Sequence, residues 1–228
     1  MIITPNVQTY VKSYFNCQSA VLGALIEEEG GSGSGGSHWE RKVYFDEYMT
    51  ASVWSAGGKV TLLTLNFFKD TGFYYEVDMT KAENPYFGKN QGCTFAEGGA
   101  SAAPEYCDAT DTSTVCGFDH TYGGYCSTGD RFGSGAAYIR PYSNILCAFP
   151  ENIDGTNSWG ASIYNSQSRC LKVGANPLCL PVTCSGNNMQ FTIGGANHDC
   201  TEGSTVSTSS GTVTCPANYE VFCARQNC

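Results

Sequence analysis

Of the side chains able to bind a metal or move a proton, His38 has the most suggestive surroundings. It follows the run Gly30-Gly31-Ser32-Gly33-Ser34-Gly35-Gly36-Ser37 and precedes Trp39-Glu40-Arg41-Lys42, with Asp46-Glu47-Tyr48-Met49-Thr50-Ala51 just behind. Neutral imidazole is a common metal ligand. A glycine-rich approach lets the backbone take positive φ and pass close to another element, as a ligand delivered from a separate segment requires. A methionine under a metal site offers a polarizable apolar floor, although ordinary core packing is the commoner fate of that residue. The other two histidines, His120 and His198, lie among Gly, Asp and Tyr and read as ordinary loop residues. No histidine has another three to five positions away, and no His-Glu-x-x-His occurs in the 228 residues. A complete helix-borne zinc pair is therefore excluded within this chain.

The elements that must position His38 follow from local patterns. Thr4-Pro5, with Val7, Val11, Tyr14 and Phe15 on one face, predicts a capped amphipathic helix ending near Asn16-Cys17. The apolar stretch Val21 to Ile26 fits strand and helix equally. By composition alone the glycine run that follows also fits a flexible linker. Lys59 to Asp70 predicts a buried helix with Thr71-Gly72 as its stop, and Phe73 to Val77 alternates like a short strand. Beyond Cys93 the texture shifts to Gly, Ser, Thr, Tyr and Cys, which places a domain boundary there: 1–93 and 94–228. Gln190 to Ile193 and Gly211 to Cys215 read as strands in the second part.

Composition narrows the class. Twelve of the thirteen cysteines lie from Cys93 onward, without paired C-x-x-C knuckles, the signature of a disulfide-stapled extracellular protein. The odd count implies a free thiol, a pair between chains or a partner in a segment outside this sequence. Net charge is -9 and the 12 basic residues are scattered, which argues against nucleic acid. No stretch is long and apolar enough to span a membrane, and Met1 to Pro5 carries no signal peptide, so the chain reads as a piece of a longer secreted precursor or a truncated gene product.

The stretch His38-Trp39-Glu40-Arg41-Lys42…Asp46-Glu47-Tyr48-Met49-Thr50-Ala51 resembles the third-ligand and Met-turn region of leishmanolysin, the M8 family of metzincin zinc endopeptidases. The resemblance runs from Thr4-Pro5-Asn6-Val7 and Tyr14-Phe15-Asn16-Cys17 through the glycine run, which it marks as native. It continues through Phe68-Lys69-Asp70-Thr71-Gly72-Phe73-Tyr74 to Phe87-Gly88-Lys89-Asn90-Gln91-Gly92-Cys93. In the later half it rests on cysteine content and on Val213-Thr214-Cys215-Pro216.

The resemblance implies an α+β fold: a central, mostly helical metzincin subdomain over 1–93, then a disulfide-rich strand-and-loop domain over 94–228. His38 would be the third ligand of a Zn2+ cofactor, Met49 the Met-turn methionine, and Thr50, Ala51 and Ser52 the wall of the substrate pocket. Cys17 would pair with Cys93. The family's first two histidines and its general-base glutamate belong to a helix that this sequence does not contain. They would come from an upstream catalytic segment or a separate chain bearing His-Glu-x-x-His, and protein or peptide would be the substrate. The expectation is the carboxyl-terminal part of a zinc metalloendopeptidase, extracellular or at the cell surface and inactive as this chain alone. The alternative is a non-catalytic extracellular module acting in adhesion or surface structure.

Overall fold

The computed structural model describes residues 1–19, 22–52, 58–99, 103, 105–152, 161–186, 188–217 and 219–223. The fold is α+β, and the chain divides into two compact units: Met1–Cys107 with Thr128–Tyr138, and Asp108–Ser127 with Ile139–Cys228.

The first unit is organised by two helices. Helix α1 (Pro5–Phe15) begins with proline in its first turn, where no backbone N–H is lost from the ladder. It buries Val7, Val11 and Phe15. Its cap comes from the second helix, α2 (Leu62–Thr71): the Asp70 carboxylate accepts the backbone N–H groups of Asn6 and Val7 at 3.0 and 3.1 Å, and the Asn6 side-chain amide. Desolvation works against the Asp70 charge, but these hydrogen bonds win and hold its carboxyl below the usual range. One aspartate thus caps the helix N-terminus and joins the two helices.

Helix α2 starts later than the sequence predicts. Thr61 is its N-cap, its hydroxyl accepting the Leu63 N–H at 3.1 Å, while Lys59 is spent on a parallel bridge with Glu47. Gly72, at φ 67°, closes the helix. The strand expected over Phe73 to Val77 does not form. Phe73 and Tyr75 are 89% and 105% exposed, and no strand pairs with them, so the alternation has no face to bury. Val21 lies outside the described residues; Ala24 and Ile26, from the same undecided stretch, make extended bridges to Ile2 and Trp39.

The short helix α3 (Gly92–Ala96) is tied to the end of α1 by the Cys17–Cys93 disulfide. Around it packs an aromatic core: Phe45, Phe87 and Tyr138 stack at centroid distances of 5.0 and 4.8 Å from Phe45, and Phe95 and Tyr106 join them. Gly88 sits at φ 76°, and a Cβ there would lie 2.2 Å from the Phe95 ring, so only glycine fits. Among the described residues, regular helix in this unit is confined to α1, α2, α3 and short 3-10 turns. Residues 22–52 are held by turns, a short 3-10 turn and isolated bridges, because their glycines and buried polar groups favour loop geometry over a helical ladder.

The second unit is mainly β. A three-stranded sheet has the order β1 (Thr114–Cys116), β2 (Tyr122–Ser127), β3 (Tyr138–Leu146). A six-stranded sheet comprises β4 (Ser168–Val173), β5 (Asn176–Ser185), β6 (Asn188–Ile193), β7 (Ala196–Cys200), β8 (Thr205–Thr208) and β9 (Gly211–Thr214), in the order β7-β6-β5-β4-β9-β8. The strands expected over Gln190 to Ile193 and Gly211 to Cys215 lie in β6 and β9. One face buries Leu171, Leu180, Phe191, Val213 and, from helix α4 (Tyr219–Cys223), Phe222. Four disulfides staple this unit: Cys116–Cys170, Cys147–Cys179, Cys184–Cys223 and Cys200–Cys215. They compensate for a small apolar core. Among the described residues no helix is long and apolar enough to cross a membrane.

Candidate metal-ligand loop

The glycine run is a folded loop. Residues Gly31–Gly33 form a 3-10 turn, with Gly30 at φ 80° and Gly36 at φ 78°. Gly30 also lacks room for a Cβ, which would lie 2.5 Å from the Phe132 ring. Backbone bonds close the loop: Gly36 N–H donates to the Glu27 carbonyl at 2.8 Å, and Glu27 N–H donates to the His38 carbonyl at 2.9 Å.

His38 leaves this loop half-buried. Its Nδ1 lies 3.2 Å from the Ser34 carbonyl oxygen and 3.1 Å from Ser37 Oγ, whose hydroxyl donates to that same carbonyl. A carbonyl oxygen only accepts, so in the tautomer that bonds Ser34 the proton is on Nδ1 and the lone pair is on Nε2. Metal-bound histidines are held in this way: the outer nitrogen is tied to a backbone carbonyl, which fixes tautomer and ring orientation.

Trp39 fixes the next position. Its N–H donates to the Met49 carbonyl at 3.0 Å, and its indole Nε1 donates to Thr64 Oγ1 on α2 at 2.8 Å. Thr64 donates in turn to Glu47 Oε1 at 2.8 Å, and Thr61 donates to Glu47 Oε2. One chain of hydrogen bonds therefore links the His38 loop, the Met49 turn and the start of α2. His38 and Met49 line one cavity of about 240 Å³ with Ile26, Trp39, Thr64, Phe67 and Phe68. Met49 is 38% exposed, so its thioether is not sealed in the core.

The next three residues behave differently. Thr50 is buried, its one hydroxyl proton within reach of the Glu47 and Ser52 carbonyl oxygens at 2.9 and 3.0 Å, and it does not line that cavity. Ala51 and Ser52 are half-buried beyond it. His120 and His198 belong to the second unit. His120 donates from Nδ1 to the Cys170 carbonyl at 2.7 Å, and His198 stacks on Phe191 at 5.3 Å. Among the described residues His38 belongs to no group of three or more histidine, cysteine or carboxylate side chains at ligand distance from one another.

The sequence profile of the leishmanolysin peptidase family matches residues 1–228. The chain belongs to the leishmanolysin family. It is 27% identical over 246 residues to leishmanolysin of Leishmania chagasi, which covers 86% of this chain and 41% of that protein. The leishmanolysin homolog of Crithidia fasciculata is 26% identical over 274 residues, covering 97% of this chain and 41% of that one. A leishmanolysin-like peptidase of Caenorhabditis elegans is 38% identical over 99 residues, 42% of this chain and 14% of the relative. This leishmanolysin-family chain thus spans about two fifths or less of the length of these relatives.

Sequence patterns do not point to the residues that hold the loop. Ser34 acts through its carbonyl, which no side-chain motif reports. Glu47 reads as part of an acidic turn, yet it is 2% exposed and serves as the acceptor for two threonines from α2. Arg41 belongs to the stretch that carries the family resemblance, but nothing in its sequence context reports its partner. It is buried against Asp130 at 3.0 Å, with its guanidinium 4.0 Å over the Phe45 ring.

Buried carboxyls make stability depend on pH: desolvation raises Glu27 and pushes Glu40 up to about 7, and Glu47 and Glu105 follow the same direction. Desolvation raises Glu47, outweighing its threonine hydrogen bonds, and desolvation likewise raises Glu105. Above the ordinary carboxyl value of 4.5 the folded state then holds protons that the unfolded chain has released. Their contribution is complete below that pH and is lost as pH rises through the raised folded-state values. Glu47→Gln is therefore expected to gain stability relative to the parent as pH rises. Thermal denaturation of both proteins from acid to neutral pH checks this, and a difference independent of pH would refute it.

Proposed function

We propose that this chain is the carboxyl-terminal part of a leishmanolysin-like zinc metalloendopeptidase, in which His38 is the third zinc ligand and Met49 lies beneath the metal. The carrying observation is that His38 and Met49 face one cavity while His38 Nδ1 lies 3.2 Å from the Ser34 carbonyl oxygen, an arrangement that suits a tautomer with Nε2 as the metal donor. A neutral imidazole with a backbone-fixed tautomer suits Zn2+, but catalytic zinc sites take three protein ligands. His38 therefore completes a site whose other two histidines and general-base glutamate come from an upstream segment or a separate chain bearing His-Glu-x-x-His. Bound zinc would acidify a water and polarise a peptide carbonyl. This chain's task is to bring one imidazole to a fixed place and to supply the apolar floor below it.

In this reading residues 1–93 form the central metzincin subdomain and 94–228 the cysteine-rich one. Ala51 and Ser52, anchored by Thr50, form the substrate-side wall for a protein or peptide. The twelve disulfide-bonded cysteines support an extracellular or cell-surface setting. The test is a fluorogenic-peptide assay on the purified chain with zinc, beside the longer protein carrying the upstream motif. Only the longer protein is expected to cleave, with loss of cleavage on adding a chelator. Chelator-sensitive cleavage by the chain alone would overturn the division of ligands, and no cleavage by either would favour a non-catalytic surface module.

A further inference from the structure

The loop that carries His38 is held from the far half of the sequence. Residues Thr128–Tyr138 belong to the same compact unit as that loop, and their polar contacts with it span 89 to 105 positions. The segment is a strap built from tight turns. The Asp130 carbonyl accepts the Gly133 N–H at 3.1 Å, and the Gly133 carbonyl accepts the Ala136 N–H at 2.7 Å. Ser134 and Gly135 take positive φ of 49° and 76°. Asp130 Oδ1 accepts the Phe132 N–H at 3.1 Å, an aspartate turn that brings the Phe132 ring against the glycine run.

The strap grips the loop at two places. At its base Asp130 Oδ2 accepts from Arg41 Nε at 3.0 Å, with the Arg41 and Asp130 side chains 2% and 3% exposed. Arg41 also donates to the Phe45 carbonyl and to Thr50 Oγ1 at 3.4 Å, so one guanidinium ties together the segment that runs from His38 to the Met49 turn. At its tip Arg131 Nη2 donates to the Gly30 carbonyl at 3.4 Å, and Ser134 Oγ donates to Glu29 Oε1. A Cβ on Gly30 would lie 2.5 Å from the Phe132 ring and 2.8 Å from Ser34 Cβ. Gly30 is therefore pressed between the strap and the residue whose carbonyl orients His38.

We infer that Asp130 and Phe132 are positioning residues for the metal ligand. Asp130 acts through Arg41 on the segment from His38 to Met49, and Phe132 acts through Gly30 and Ser34 on the imidazole. The inference rests on the reading of His38 as a zinc ligand. A glycine-rich backbone gives a ligand reach but leaves it free to wander. A ligand that completes a catalytic site must instead keep its place, since a small displacement is costly in rate. The buried ion pair on one side and the aromatic wedge on the other supply the stiffness that the glycines lack. No described residue of the strap lines the His38 cavity, so the strap sets geometry and takes no part in the chemistry.

Asp130→Asn alone would leave the Arg41 charge buried without its partner, which is strongly destabilising. The test therefore uses Phe132→Ala, Phe132→Leu and the paired replacement Arg41→Met with Asp130→Leu, in which apolar groups take over the volume and the fold is kept. In the 228-residue chain, amide hydrogen exchange of residues 30–37 is expected to rise about tenfold or more in Phe132→Ala and in the paired replacement, with exchange in α1 unchanged. Phe132→Leu, which keeps most of the wedge, is expected to stay within about threefold of the parent. In the longer protein carrying the upstream motif, Phe132→Ala and the paired replacement are expected to lower kcat and zinc affinity about tenfold or more, with KM and Tm close to the parent. His38→Ala, measured beside them, separates the two readings. If it abolishes zinc binding and cleavage while the strap variants keep both, the positioning role is overturned and the zinc reading stands. If His38→Ala retains both, the zinc reading falls and the positioning role with it. Unchanged exchange of residues 30–37 in the strap variants overturns the inference by itself.

Discussion

On the proposed function, replacing His38 by alanine in a longer protein that carries the upstream motif is expected to lower peptidase activity more than about 100-fold while the fold stays intact. Loss of an outer partner of a metal ligand typically costs 10–100-fold, so removal of the ligand itself must exceed that range. The side chain is half-buried, and among the described residues its side-chain hydrogen bonds are local, to Ser37 and the Ser34 carbonyl. Its loss should therefore alter stability by no more than about 0.5–1 kcal/mol. The measurements are kcat/KM on a peptide, zinc content of the dialysed protein, and Tm. Lost zinc and lost kcat with unchanged Tm support the assignment; activity within a few-fold of the parent rules His38 out as a ligand. Met49→Leu provides the contrast. A volume-conserving swap in an apolar floor costs less than about 1.5 kcal/mol and leaves the ligand set whole, so zinc content should hold.

The largest effect on stability is expected from Cys17→Ala with Cys93→Ala. This bridge spans 76 residues and encloses the glycine run, the Met49 turn and α2. On the chain-entropy account its removal costs about 4–5 kcal/mol. The Cys200–Cys215 bridge, with a separation of 15, serves as the internal comparison at about 3 kcal/mol. Urea unfolding of the oxidised proteins measures both. The ordering is the sensitive point. If the pair in the second unit cost more, loop closure would not be what the Cys17–Cys93 bridge contributes, and native-state packing around Phe95 and Phe15 would have to carry the difference.

Legibility in the sequence varied with the range of the interaction. Helix α1 was readable because proline, a capping position and the spacing of Val7, Val11 and Phe15 are all local signals. The cap donated by Asp70 was not, since its partner is 64 positions away. The core of α2 was readable from its apolar residues, but its start was displaced once Lys59 was drawn to Glu47 and Asp46. The alternation of Phe73 to Val77 misled because period-two patterning becomes a strand only with a neighbour to pair, and here none exists. His38 and Met49 stood out by residue type and family pattern. The groups that hold them acted through a carbonyl, Ser34, or through buried polar links, Trp39–Thr64–Glu47, which have no local signature.

The sequence by itself determined the α+β class, the disulfide-dependent character, the leishmanolysin resemblance and the absence of His-Glu-x-x-His, because each is a matter of residue type and short spacing. Only the tertiary structure decided that the glycine run is a closed loop, that His38 Nδ1 lies beside the Ser34 carbonyl, and that Glu27, Glu29 and Glu40 meet. Those outcomes depend on which groups burial brings together. Burial is a property of the packed chain and has no counterpart in residue order.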